Sequence, residues 1–173
     1  MGPVIYYFNH VGIYDGGQAL RALPIAIRRK VVLPVWSEVW NDYRWPFVEF
    51  FAGGFPFDNT KRVKASLELA GEFLDYGFSL LVAPEGKFSK NGKRMRFKSG
   101  IGLLAVEMQV PVVPIKIDPS YHEIFPPMDG KFIENLPKKR KKIWIKIGKP
   151  LTFPKGISYE ESTKKMQQAL EAL

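Results

Sequence analysis

Apolar positions along the chain follow two rhythms. Short, mainly apolar runs at 4–8, 31–35, 78–82 and 112–117 have the length and β-branched or aromatic content of buried strands. Between them lie stretches with a helical period. Residues 15–23 predict a helix that Pro24 stops. Residues 60–76 predict a longer one, because Val63, Leu67, Ala70 and Leu74 recur at i, i+4, i+7 and i+11 and Gly77 suits the turn that ends it. A third helix is predicted over 101–108. Residues 143–147 alternate as a half-exposed strand. Ser158 and Glu161 then form a capping box ahead of a last helix striped by Tyr159, Met166, Leu170 and Leu173.

Strand and helix patterns that alternate in this way predict an α/β fold: a mainly parallel central sheet with right-handed crossovers, flanked by helices on both faces. The C-terminal ends of parallel strands share one edge, where such folds place their sites. The 173 residues fit a single domain, 1–173, with room for a real core. Two stretches resist the pattern. Residues 36–57 hold nine aromatics, with a helix expected over 46–52 and Pro46 in its first turn, and 118–137 is proline-rich and reads as irregular.

Composition narrows the chemistry. The chain has no cysteine, which excludes disulfides, a thiolate nucleophile and cysteine metal sites. With His10 and His122 as its only histidines, a zinc site would need carboxylates at a ligand spacing that the sequence lacks, so neither metal nor cofactor is called for. The net charge of +9 points to an anionic partner: nucleic acid, an anionic membrane, coenzyme A phosphates or an acidic carrier protein. No apolar stretch reaches membrane-spanning length; the best, 101–115, is interrupted by Glu107, Gln109 and Pro111. The start lacks the basic n-region of a signal peptide.

The segment Asn9-His10-Val11-Gly12-Ile13-Tyr14-Asp15 sets a histidine at the end of the first apolar run, with an aspartate five residues later. An imidazole held by a carboxylate is a general base, since the carboxylate fixes the tautomer and stabilises the imidazolium. The competing reading of these residues is a turn, with His10 solvated and Asp15 capping the next helix. Three more segments follow: Gly53-Gly54-Phe55-Pro56-Phe57-Asp58-Asn59, Ala83-Pro84-Glu85-Gly86, and Val110-Pro111-Val112-Val113-Pro114-Ile115. In this order and spacing the four blocks resemble the signature of the glycerophospholipid acyltransferase family, typified by 1-acylglycerol-3-phosphate acyltransferase. The resemblance runs from about Pro3 to Pro150.

The resemblance implies a glycerolipid-acyltransferase-like fold and an O-acyltransferase of phospholipid biosynthesis. His10 would take the proton of an acceptor hydroxyl as it attacks the thioester of acyl-CoA or acyl carrier protein, with Asp15 orienting it. Transfer would be direct, and the chain agrees, having neither a cysteine nor a Gly-x-Ser-x-Gly elbow to hold an acyl group. Backbone amides near a helix start would stabilise the oxyanion. Pro84-Glu85-Gly86 would lie beside a lysolipid acceptor, with Glu85 organising that site and Gly86 at a close-approach or positive-φ position. The alternative for this block is a tight turn with a solvated carboxylate. Residues 110–115 read as a core strand that shapes the cleft wall.

Two positions depart from the family pattern. Asn59 stands where the second block ends in arginine, and Lys87-Phe88 where the third reads Thr-Arg. Those arginines are the family's clamp for the acceptor phosphate, which a guanidinium binds bidentately. Asn59 and Lys87 join Pro84, Glu85 and Gly86 as acceptor-binding candidates; Asn59 also suits a cap for a helix starting at Thr60. Lys61 or Arg62 supplies charge without the same geometry. From 87 to 98 the chain holds six cations and no acid, and 138–142 is five cations in a row. These are solvated faces, or else Lys90, Lys93, Arg94 and Arg96 meet the donor's phosphates or an anionic membrane surface. The aromatic stretch reads as core, or as a greasy acyl channel. The family implies peripheral attachment on the cytoplasmic side of a membrane. Its usual membrane-associating segment ahead of the histidine block is expected to be missing, since the first strand begins almost at Met1.

Other patterns compete. Gly100-Ile101-Gly102-Leu103-Leu104-Ala105 with Asp118 resembles a dinucleotide fingerprint, but a basic loop rather than a strand precedes it; small residues there suit close helix–sheet packing. A P-loop over 86–93 fails on count. Positive charge interleaved with aromatics suits a nucleic-acid-binding module. That reading leaves His10, Asp15 and Glu85 unexplained, so no nucleic acid is expected. A non-catalytic lipid-binding relic is the third reading, prompted by the two missing arginines.

Overall fold

The computed structural model describes residues 2–10, 15–37, 53–87, 95–118 and 142–173. Its strands are β1 (Ile5–Phe8), β2 (Val31–Trp36), β3 (Gly54–Phe57), β4 (Ser79–Val82), β5 (Val112–Asp118) and β6 (Trp144–Ile147). Its helices are α1 (Asp15–Ala22), α2 (Ile25–Arg28), α3 (Val63–Asp75), α4 (Gly100–Glu107) and α5 (Tyr159–Glu171). The six strands form one sheet in the order β3-β2-β4-β1-β5-β6. Neighbours from β3 to β5 run parallel, and β6 returns antiparallel to β5.

β1 is central, paired with β4 and β5, and all four of its residues are buried. Period-two alternation sends Ile5 and Tyr7 into one apolar cluster with Leu74, Leu104, Met166 and Leu170, from α3, α4 and α5. Tyr6 and Phe8 face the other cluster, with Ala19 and Leu23 at α1. A strand covered on both faces must be apolar throughout, which is why this run is unbroken. The Tyr7 hydroxyl donates to the Met166 carbonyl at 2.9 Å, and burial pushes its pKa well above the ordinary value. Lys116 and Lys146 lie opposite each other across β5 and β6. Their repulsion is offset because both ammonium groups reach the carbonyl end of α5, at Glu171 and Leu173.

Three expectations need correcting. The long helix starts at Val63 rather than Thr60, and Asn59 does not cap it. Asp58 takes the local donors instead: one carboxylate oxygen accepts from the amides of Thr60 and Lys61 and from the Thr60 hydroxyl, at 2.8–2.9 Å. That turn holds 58–61 out of helical geometry. The small residues of α4 serve helix–helix rather than helix–sheet packing: a β-carbon at Gly102 would fall 2.2 Å from the Tyr159 carbonyl oxygen of α5. β3 and α2 were not anticipated. β3 carries Gly54 and Pro56, poor strand residues that an edge position tolerates. The Ser158 half of the expected capping box is present, with Ser158 Oγ accepting from the Glu161 amide at 3.1 Å, while Glu161 Oε1 meets Lys165 Nζ at 2.9 Å. The expected helix over 46–52 and the proline-rich stretch beyond Asp118 lie outside the described residues.

Candidate active site

β1 ends at Phe8, but its pairing with β5 goes one residue further through a side chain. Asn9 is fully buried; its Oδ1 accepts from the Ile117 amide at 2.8 Å and its Nδ2 donates to the Ile117 carbonyl at 3.0 Å. An amide side chain carries the same donor–acceptor pair as a peptide group, so it extends the ladder while the main chain turns away. His10 therefore leaves the sheet edge from a fixed point.

Two carboxylates meet His10. Its backbone amide donates to Glu85 Oε1 at 2.9 Å, and Glu85 Oε2 accepts from the Met95 amide at 2.9 Å. Glu85 is 2% exposed. The solvated-carboxylate alternative for this block is thus wrong: the turn is there, but its acid faces inward and ties β1 to the segment leading to α4. Asp15, the first residue of α1 and also buried, places Oδ2 3.6 Å from His10 Nδ1. That separation is slightly longer than a hydrogen bond. The positive end of α1 favours a carboxylate at this position. The imidazole stands edge-on to the Phe8 ring, with centroids 5.5 Å apart, and its side chain is 15% exposed.

The third block is a tight turn, Gly86 N–H donating to the Ala83 carbonyl at 3.0 Å, with Gly86 at φ +72°. The positive-φ expectation for Gly86 holds. Asn59 Nδ2 donates to the Gly86 carbonyl, and the Pro84 carbonyl accepts from the Lys98 amide at 2.9 Å. The second and third blocks are therefore linked directly. Val112, Val113 and Ile115 are buried in β5, as the core-strand reading required. Lys87 and Arg96 are exposed; Lys90, Lys93 and Arg94 lie outside the described residues.

An acyltransferase family model matches residues 1–118 of the chain. The chain belongs to the acyltransferase family. Over 83 residues it is 32% identical to the 1-acyl-sn-glycerol-3-phosphate acyltransferase alpha of Mus musculus, a stretch covering 46% of this chain and 29% of that protein. The crystal structure of the 1-acyl-sn-glycerophosphate (LPA) acyltransferase PlsC from Thermotoga maritima shares the fold, with a TM-score of 0.74 and 24% identity over 99% of this chain and 65% of that one. The chain spans less than two thirds of the length of either relative.

Residues 1–118 contain all four blocks and the whole parallel part of the sheet, so the family match and the described site cover the same elements. Among the described residues no helix is long and apolar enough to cross a membrane. Reading the sequence brought His10, Asp15 and Glu85 together correctly but missed the parts of Asn9, Met95 and Lys98. A polar amide ending an unbroken apolar run was the available signal for Asn9. Nothing local marks a backbone amide such as that of Met95.

Proposed function

We propose that this chain transfers a fatty acyl group from a thioester donor, acyl-CoA or acyl carrier protein, to a hydroxyl of a lysophospholipid or glycerol phosphate type acceptor. The observation that carries the proposal is the approach of buried Asp15 to His10 Nδ1 while buried Glu85 holds the His10 backbone. A carboxylate on the Nδ1 side keeps that nitrogen protonated and leaves Nε2 as the base.

Nε2 takes the hydroxyl proton as the acceptor oxygen attacks the thioester carbonyl. A tetrahedral oxyanion forms, stabilised by backbone amides, and collapses with rupture of the C–S bond. The departing sulfur receives the proton from the imidazolium, releasing a thiol and an ester. Asp15 remains a carboxylate throughout and stabilises the transient imidazolium. A chain without cysteine and without a nucleophile elbow fits this single displacement better than an acyl-enzyme. Asn59, Pro84, Glu85, Gly86 and Lys87 border the acceptor in this reading. Lys90, Lys93, Arg94 and Arg96 face the donor or an anionic membrane, to which the single domain attaches peripherally on the cytoplasmic side.

The test is lipid mass spectrometry after incubation with acyl-CoA and a panel of lysolipids. His10→Ala should remain folded and lose acyl transfer by about a hundred- to ten-thousandfold, the range for a general base. Asp15→Asn should be impaired as well. Near wild-type turnover by His10→Ala would refute the assignment, and no turnover by the natural chain with any acceptor would favour the lipid-binding relic.

A further inference from the structure

The two positions where the family carries phosphate-binding arginines are Asn59 and Phe88 here, and Asn59 spends an amide hydrogen on the Gly86 carbonyl. The site as described nevertheless brings a cation to the same turn. Residues 95–98 alternate half-buried Met95 and Phe97 with exposed Arg96 and Lys98. Three backbone amides pin the segment: Met95 on Glu85, Phe97 on the Gln167 side chain at 3.3 Å, and Lys98 on the Pro84 carbonyl. The Phe97 ring packs edge-on against Tyr7, with centroids 6.0 Å apart. Lys98 is therefore held by its main chain against the third block.

Its side chain does not simply extend into water. It folds over Gly86, so that a β-carbon there would meet Lys98 Cε at 3.1 Å, Cδ at 3.2 Å and Nζ at 3.2 Å. The missing side chain of Gly86 is what leaves room for the ammonium. Lys61, Arg62 and Lys87 are also exposed cations near these blocks, but among the described residues Lys98 is the one seen to lie over the turn. His10 contacts the same Pro84-Glu85-Gly86 turn through its backbone amide. An acceptor whose hydroxyl meets His10 can thus present an anionic group to the neighbouring residue of that turn.

We propose that Lys98 is the anion-binding residue of the acceptor site, taking the phosphomonoester of a glycerolipid in place of the missing arginines. The inference rests on the acyl-transfer reading and adds the residue that determines acceptor selectivity. A lysine is a point charge with rotatable donors rather than a planar fork, so it favours phosphate without fixing its orientation.

The experiment compares the natural chain with Lys98→Met and Lys98→Arg, using short-chain lysophosphatidic acid and monoacylglycerol as acceptors. The ratio of kcat/KM for the phosphorylated acceptor to that for the neutral one should fall about ten- to a hundredfold in Lys98→Met, the range for one charge-assisted hydrogen bond. Lys98→Arg should restore most of it. An unchanged ratio in Lys98→Met, or an equal loss on both acceptors, overturns the proposal. A parallel titration follows binding of both lipids by NMR without turnover. If the natural chain acylates neither lipid, the acyl-transfer reading fails while the titration still decides Lys98: selective loss of lysophosphatidic acid binding supports the site, and equal affinities in the two chains reject it.

Discussion

Replacing Glu85 by glutamine should weaken the fold and disturb the candidate site together. In the natural protein both carboxylate oxygens accept backbone N–H groups, from His10 and Met95, each at 2.9 Å and with the side chain buried. Glutamine offers one acceptor oxygen, and its NH₂ would confront the second amide donor to donor. One charge-assisted bond is lost, worth about 1.5–3 kcal/mol, and the other becomes a neutral bond worth about 1 kcal/mol less. Relief of a buried charge returns part of this, so a net loss of roughly 2–3 kcal/mol is expected. For a domain of this size that lowers the melting temperature by about 4–12 °C. Activity should fall further than stability requires, because a shift of about 1 Å in a positioned base costs on the order of a hundredfold. Thermal melts by circular dichroism and turnover well below the transition measure the two effects separately. Glu85→Asp keeps the charge but is too short to span both amides, and Glu85→Ala should be the least stable of the three. A glutamine variant with an unchanged melt and wild-type kcat would refute the idea that this carboxylate holds His10 in place.

Gly102→Ala should destabilise by about 1–3 kcal/mol through overpacking, because the new methyl group meets the Tyr159 carbonyl at 2.2 Å and Thr163 Oγ1 at 2.4 Å; a urea titration in which alanine stabilised α4 would contradict that packing. Asp58 should make stability depend on acidity. Amide donors at Thr60 and Lys61, then the Thr60 hydroxyl, lower its pKa from 3.8 to about 2, so the folded state holds the carboxylate ionised at acidities where the unfolded chain has taken a proton. Its contribution is fully present above about pH 5 and is lost as pH falls through 4 towards 2. The stability difference between the natural chain and Asp58→Asn, measured by urea unfolding across that range, should shrink as pH falls; a difference that grew would reverse the sign of the linkage.

The sequence by itself determined the elements whose causes are local. β1 was readable because a strand covered on both faces must be apolar throughout, β5 because its first four residues form an apolar run, and α3 because its apolar stripe follows the helical period. The Ser158 cap of α5 needs partners only three residues apart. The pairing of His10 with Asp15 was readable for the same reason, since Asp15 comes only five positions after His10. Where a local side chain had several uses, the sequence misled: Asp58 rather than Asn59 organises the approach to α3, because its carboxylate accepts three donors at once. Pro56 and Gly54 hid β3, since propensity ignores the tolerance of a sheet edge.

Only the tertiary structure decided the strand order and what the four blocks do to one another. Asn9 meets Ile117 across 108 residues and Glu85 meets His10 across 75, contacts that exist because the parallel register brings these strand ends to one edge. Backbone amides such as that of Met95 carry no mark in the sequence, yet one of them takes half of the Glu85 carboxylate. The folding of Lys98 over Gly86 likewise follows from where residues 95–98 come back against the third block, and a string of residues does not encode that return locally. Periodicity fixes which face of an element is apolar. Which polar groups then meet above the sheet is set by the packing of elements far apart in the chain.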